Sequence, residues 1–268
     1  MPRVRLDALL SERGLFPSRT RAAASVLAGE VMLGPGRMKA SKPGQLVDED
    51  VIVGVRAAPA FVSRGGVKLS NALDAFGIAV QDRSCLDVGA STGGFTDCLL
   101  KRGASRVIAL DVSYGQLDWG LREDPRVTVI ERSNARALMP AQLPYAPSLA
   151  VIDVSFISIA KVLPAVLACL APAAGSSDCV AMVKPQFEVG RAGVGKGGVV
   201  RDPALRRSAL ASVASAAGSL GASVLGFASS GLPGPKGNLE TFVWLAEGGR
   251  AGALDRAGIE AAIHEVEP

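Results

Sequence analysis

Nine residues, Asp87–Phe95 (DVGASTGGF), constrain this chain more than any others. They follow a short apolar run, Ser84–Val88, and lead into Thr96–Lys101, which reads as the first turns of a helix. A strand, a glycine turn and a helix N-terminus make a ready nucleotide site. Small residues let the backbone approach the ligand, and free N–H groups and the helix dipole face it. The turn alone also suits a βα connection that binds nothing, since Ser91 stands where a strict G-x-G-x-x-G fingerprint has its second glycine. The next apolar run narrows the choice. Arg106–Leu110 ends at Asp111, twenty-two residues after Gly89, where a carboxylate is placed to bond a ribose hydroxyl pair.

The turn belongs to a longer alternation. From residue 61 onward, strands are expected near 84–88, 106–111, 127–131, 149–153, 179–184, 222–228 and 241–246, with helical segments between them. That pattern predicts a doubly wound α/β sheet, with a seventh strand close behind the sixth. Such sheets bind and react at the carboxyl ends of their strands. Asp153 ends the apolar run LAVID there and Lys184 ends VAMVK. Lys68 lies ahead of the first strand in SRGGVKL, and Glu240 stands at the mouth of the last strand in GNLETFVWL. One charge at a strand end is usually a solvated terminus; four make a candidate site.

Charge separates the N-terminal piece from the rest. Residues 1–47 hold eight Lys/Arg against three acidic groups, a net of +5 in a chain of net +4, so a polyanion is sought there. Leu6–Arg13 reads as a short helix, and Ser18 caps a second that runs to Ala28 and stops at Gly29. Val31–Leu33, the turn at Gly34-Pro35-Gly36 and Val51–Val55 read as a small hairpin. This gives a small basic unit over 1–56, a linker over 57–62 and the α/β domain over 63–268.

Several chemistries are disfavoured. Cys85, Cys98, Cys169 and Cys179 sit in apolar runs without C-x-x-C spacing, so buried thiols are expected, with no metal required for the fold. The single histidine, His264, lies in a polar C-terminal tail, which argues against triad chemistry. Ala150–Gly175 is broken by Asp153, Lys161 and two prolines, and the N-terminal apolar run is cut early by Ser11-Glu12-Arg13. Neither a membrane span nor a signal peptide is expected, and the cytoplasm is the default location. Gly190-x-x-x-x-Gly195-Lys196 matches a P-loop except that Gly197 replaces the Ser/Thr and no helix follows, so a flexible loop is the expectation.

Resemblance to known families sharpens these expectations. Arg5-Leu6-Asp7, Gly14-Leu15, Ser18-Arg19, Ala22, Gly29, Val31 and Lys42-Pro43 resemble an S4 RNA-binding domain. That resemblance makes Arg3, Arg5, Arg19, Arg21 and Lys39 its phosphate-facing groups, with Arg64 a further RNA contact in the next domain. DVGASTGGF resembles the first motif of class I methyltransferases more than a dehydrogenase fingerprint. Asp87 would then hold the methionyl end of S-adenosylmethionine, and Gly89, Ala90, Ser91, Thr92, Gly93, Gly94, Phe95 and Asp111 would complete its cradle. Asn134 falls at the place of an adenine contact, and serves equally well as a local cap.

The order Lys68, Asp153, Lys184, Glu240 resembles the tetrad of ribose 2′-O-methyltransferases. A ribose hydroxyl is a very weak acid, and Lys184 is the group expected to receive or stabilise its proton, oriented by Asp153. Lys68 and Glu240 would position the ribose and balance charge. With RGGVKL, ERSNAR, DVSFIS, KPQFEVG and GNLE, the chain resembles the TlyA family, the haemolysin A group of ribosomal RNA cytidine-2′-O-methyltransferases. The resemblance implies a Rossmann-like sheet with a small S4 domain, S-adenosylmethionine as donor, and cytidines of 16S and/or 23S RNA in subunits or 70S ribosomes as acceptors. In some members the modification supports sensitivity to capreomycin-type antibiotics. The resemblance departs at the linker, where R-x-W-V of the best-known members is Pro59-Ala60-Phe61-Val62, so coupling of that segment to cofactor binding does not carry over. Rival readings are a ribosome-assembly factor with little catalysis, a membrane-active haemolysin and a dehydrogenase.

Overall fold

The computed structural model describes residues 3–56, 59–170 and 176–268. The chain divides into two compact units, Met1–Pro59 and Ala60–Pro268. Ala57 and Ala58 of the expected linker, and the end of the Ala150–Gly175 stretch, lie outside the described residues.

In the first unit β1 (Arg3–Arg5) leads into α1 (Leu6–Glu12) and α2 (Arg19–Ala28). These precede β2 (Val31–Leu33), β3 (Met38–Lys39), β4 (Leu46–Asp48) and β5 (Val53–Val55). Ser18 caps α2 by accepting from Arg21 N at 3.2 Å, and Gly29 ends it at φ 76°. Leu6, Leu10, Ala22, Val26 and Val31 form the core. The expected hairpin is larger than it read: β3, β2 and β5 form one sheet, and β1 pairs with β4 in another. The closing strand starts at Val53 and not Val51, because Val51 N is taken by Asp48 O in a turn.

The second unit runs α3 (Arg64–Phe76), β6 (Ser84–Val88), α4 (Gly94–Lys101), β7 (Arg106–Leu110), α5 (Trp119–Arg122) and β8 (Val127–Ile130). It continues with β9 (Leu149–Ile152), α6 (Leu163–Cys169), β10 (Asp178–Val183), α7 (Pro185–Glu188), α8 (Pro203–Ser219), β11 (Ser223–Ser229), β12 (Thr241–Ala246) and α9 (Arg256–Val266). The sheet order is β11-β12-β10-β9-β6-β7-β8, parallel except for β12, which runs antiparallel to both neighbours. β9 and β10 are buried at every residue, as near-continuous apolar runs in a doubly covered sheet should be. One core lies on the face covered by α6 and α8, the other beneath α3 and α4. His264 is exposed on α9, an ordered helix where the sequence suggested a tail.

This topology positions the site. β6 has β7 on one side and β9 on the other, so the chain order reverses there and a crevice opens above the carboxyl ends. Register places Val88 opposite Ile152, which sets Gly89 beside Asp153. Because β12 is antiparallel and Thr241 faces Val183, Glu240 stands at the same end as Lys184.

Candidate active site

The turn after β6 is built for close approach. Gly89 has φ 89°, and a Cβ on it would lie 2.4 Å from Asp153 O. Ser91 is also left-handed, at φ 49°. Gly93 caps α4 without a side-chain bond, so the first amides of that helix remain available. A Cβ on Gly94 would meet Ser63 Oγ at 2.1 Å and Gly66 N at 2.9 Å, so α3 and α4 touch backbone to backbone. Phe95 is buried against Phe242, their rings 6.0 Å apart. Asp111 accepts from Ser91 N at 2.8 Å and from Ser113 N at 2.7 Å, which fixes the turn.

Asp87 is fully buried beneath this turn. One oxygen accepts from Thr96 Oγ1 at 2.6 Å, and the other is enclosed with no partner among the described residues. Burial pushes its pKa up to about 7; Thr96 opposes that shift, while the Asp153 and Asp111 charges add to it.

Two cavities meet above the sheet. One, of about 490 Å³, runs past Asp111, Ser113 and Asn134; the other, of about 740 Å³, contains Lys68, Lys184 and Glu240. Gly89, Ser91, Asp153, Ser155 and Phe156 line both. A donor in one and an acceptor in the other would therefore meet at Asp153.

The four charged residues form two ion pairs. Lys68, on the inner face of α3, pairs with Glu240, and both are nearly inaccessible. Lys184, first residue after β10, lies against Asp153. The alignment there is not that of a hydrogen bond: Asp153 Oδ1 accepts none, and the Lys184 ammonium donates instead to Ser155 Oγ at 3.0 Å. Burial gains such pairs little net stability, so they are weak evidence of a purely stabilising role.

Other residues at the cavity were not singled out from the sequence. Asn238 accepts from Val200 N at 2.9 Å and donates to Gly198 O at 2.8 Å, pinning the 190–201 loop to the cavity wall. That loop makes two short turns, and α8 begins only at Pro203 behind the Asp202 cap, so the P-loop lookalike has no helix behind it. Phe156 is left-handed at φ 65° and 91% exposed, its ring 5.3 Å from that of Phe187. The signals were present: Ser155 and Phe156 lie two and three residues after Asp153, and Asn238 precedes Glu240 by two. Asn134 accepts from Arg136 N at 3.1 Å as a local cap and lines the smaller cavity.

The linker departure has a local account. Val62 N donates to Asp97 at 2.9 Å, and Lys101 donates to Ala60 O at 2.7 Å while its ammonium lies 5.3 Å from the centre of the Phe61 ring. The 60–62 segment is thus strapped to α4, whose first turn opens at the glycine loop.

In the first unit the expected RNA contacts are not equally free. Asp7 is buried and receives Arg5 through two bonds at 3.1 and 2.8 Å, with Arg19 at 3.4 Å, and Arg5 holds its carboxyl below the usual range. Arg3 faces Asp48 at 3.8 Å, while Arg21 and Lys39 make no ion pair among the described residues. Arg64 belongs to the second unit, where it lines the larger cavity and donates to Pro233 O at 3.3 Å.

All four cysteines are buried, and burial pushes Cys85, Cys98 and Cys179 up to about 12, which makes them poor nucleophiles. Among the described residues no three His, Cys, Asp or Glu side chains converge as a metal site, and no helix is long and apolar enough to cross a membrane.

Comparison with known proteins agrees with this geometry. Residues 61–247 match the model of the FtsJ-like methyltransferases. The chain is 50% identical over 265 residues to the 16S/23S rRNA (cytidine-2′-O)-methyltransferase TlyA of Mycobacterium tuberculosis, covering 98% of this chain and 96% of that one. A solved structure of a hemolysin-like protein from Streptococcus thermophilus superposes with TM-score 0.73 at 38% identity, covering 99% and 96%. An S-adenosylmethionine-dependent methyltransferase of Listeria monocytogenes, 13% identical with TM-score 0.50, covers 69% of this chain and 99% of its own, and shares the fold alone.

Proposed function

The chain belongs to the TlyA family of FtsJ-like methyltransferases, and from that membership we propose that it 2′-O-methylates cytidine ribose in ribosomal RNA, with S-adenosylmethionine as donor. The observation that carries the reading is the meeting of the two cavities at Asp153, with Lys184 and Ser155 beside it.

The residues fit the donor. Asp87 offers an enclosed oxygen without a partner to a cationic amine, and Gly89 leaves room for close approach. Asp111 is already anchored by two amides, and each oxygen keeps a lone pair for a ribose hydroxyl. S-adenosylmethionine, when bound, supplies an electrophilic methyl group.

The chain's own task is to hold the acceptor oxygen in line and to deal with its proton. For a 2′-hydroxyl to accept that methyl group, its proton would have to leave. Lys184 Nζ is the nitrogen at that point, set by Ser155 and Asp153. Lys68 and Glu240 form the opposite wall and orient the ribose. Exposed Phe156, set against half-buried Phe187 at the lip, suits an RNA acceptor, because unstacked bases find a platform on aromatic rings. The excess charge of residues 1–47 supports RNA as partner through an S4-type unit.

Tritium transfer from labelled S-adenosylmethionine to 30S, 50S and 70S particles, with mapping of the methylated nucleotide, tests the reading. Lys184→Ala and Asp153→Ala should each lower transfer by roughly 100-fold or more while cofactor binding persists. Cofactor binding without transfer to any particle would leave an RNA-binding assembly factor instead.

A further inference from the structure

Glu188 ends α7, four residues after Lys184, and belongs to neither ion pair of the site. Its carboxylate joins two segments. One oxygen accepts from Ser158 Oγ at 2.6 Å and the other from Ile159 N at 2.8 Å. Ser158 in turn accepts from Ala160 N at 3.2 Å, so its hydroxyl is used in both directions. Asp153 begins the first segment and Lys184 the second. The chain therefore closes a ring: from Asp153 to Ser158, across Glu188, back along α7 to Lys184, and across the ion pair to Asp153. Ser155 and Phe156 lie on one arm and Phe187 on the other.

The ring needs this closure. The ladder between β9 and β10 runs only to Ala181 opposite Ile152, so both arms lie beyond it. α7 is four residues long and has no side-chain cap, too short to hold its own geometry. Burial raises the Glu188 carboxyl above its ordinary range, while the bonds from Ser158 and Ile159 oppose that shift.

We propose that Glu188 is a positioning residue for methyl transfer, tying the Asp153–Ser158 arm to α7 and so setting how Asp153, Ser155 and Lys184 face the acceptor oxygen. The proposal rests on the methyl-transfer reading above. Glu188 lines neither cavity and both of its oxygens are taken by Ser158 and Ile159, so its loss should appear in turnover and leave donor binding alone.

The test is steady-state transfer to ribosomal particles by the full chain and its Glu188→Ala, Glu188→Gln, Ser158→Ala and Glu188→Ala/Ser158→Ala variants. Glu188→Ala should lower kcat roughly 10- to 100-fold, the effect of a misplaced catalytic group. Cofactor Kd and the KM for particles should stay within about twofold. Glu188→Gln can still accept from Ile159 N and donate to Ser158, and should recover most of the loss. The double variant should be no slower than Glu188→Ala, since the Ser158 hydroxyl contributes through its bond to Glu188. Wild-type kcat in Glu188→Ala, no recovery in Glu188→Gln, or additive losses in the double variant would overturn the proposal. If Glu188→Ala fails to fold, Glu188→Gln and Ser158→Ala decide it by the same comparison with wild type. An inactive wild-type chain would instead sink the methyltransferase reading.

Discussion

The Thr96 hydroxyl holds one oxygen of the buried Asp87 carboxylate at 2.6 Å and leaves the other enclosed and unpartnered. With its pKa at about 7 against an ordinary 3.8, the folded chain keeps a proton there that the unfolded chain has lost. Stability of the ligand-free protein should therefore fall as pH rises from about 4 to about 7 and level off above that. A cationic amine on the unpartnered oxygen would favour the anion, so binding below pH 7 must release this proton. Calorimetric Kd for S-adenosylmethionine should tighten by up to roughly tenfold per pH unit as pH rises toward about 7 and flatten above it. Asp87→Asn should weaken binding and abolish the slope; a slope that survives it would place the titrating group elsewhere.

The Lys68–Glu240 pair gives a different signature, because both side chains are almost wholly enclosed. Removing either partner strands a buried charge, which costs about 3–5 kcal/mol. Lys68→Met or Glu240→Leu alone should thus lower Tm sharply, while the double variant should regain most of it. Transfer should stay lost in all three. If the double variant regains activity with stability, the pair is structural and takes no part in orienting the ribose.

In the first unit, Arg19 and Arg21 stand in the first turn of α2 behind the Ser18 cap, with Arg19 steadied by Asp7. Each lost phosphate contact lowers the slope of log K against log salt by about 0.9 for duplexes and about 0.7 for single strands. Arg19→Ala/Arg21→Ala should therefore weaken RNA binding, flatten that slope by about 1.4 to 1.8, and leave cofactor affinity unchanged. An unchanged salt slope would remove these two from the RNA contact.

Much of this was legible because the sheet is buried on both faces. Runs such as Leu149–Ile152 and Cys179–Val183 are apolar throughout, so the first charge after each, Asp153 and Lys184, stands out as a strand end. What could not be read depends on distant pairing. Lys68 meets Glu240 across 172 residues, and nothing in SRGGVKL shows that Lys68 faces inward from a helix. The β1–β4 pair is three residues long on each side, too short for alternation to emerge. Glu188 reads as an ordinary helix-end acid until Ser158 is placed beneath it.

Gly89 offers the most local test of the glycine turn. At φ 89° an alanine would be strained by about 1 kcal/mol even in open space. Its Cβ would also stand 2.4 Å from Asp153 O and 3.0 Å from Asp153 C, backbone atoms that cannot swing aside. Relief requires the ends of β6 and β9 to separate, at the place where the two cavities join. Gly77 separates the two effects: it is left-handed at φ 67° after α3, with nothing within 4 Å of its Cβ position. Gly77→Ala should lower stability by about 1 kcal/mol and leave cofactor Kd alone. Gly89→Ala should cost more stability and weaken both cofactor binding and transfer by roughly tenfold or more, since a displaced turn misplaces donor and acceptor together. Thermal melts and Kd values for the two variants make the comparison. Equal, modest effects on both would mean that Gly89 is needed only for its backbone angle, and that the close approach to Asp153 does not govern the site.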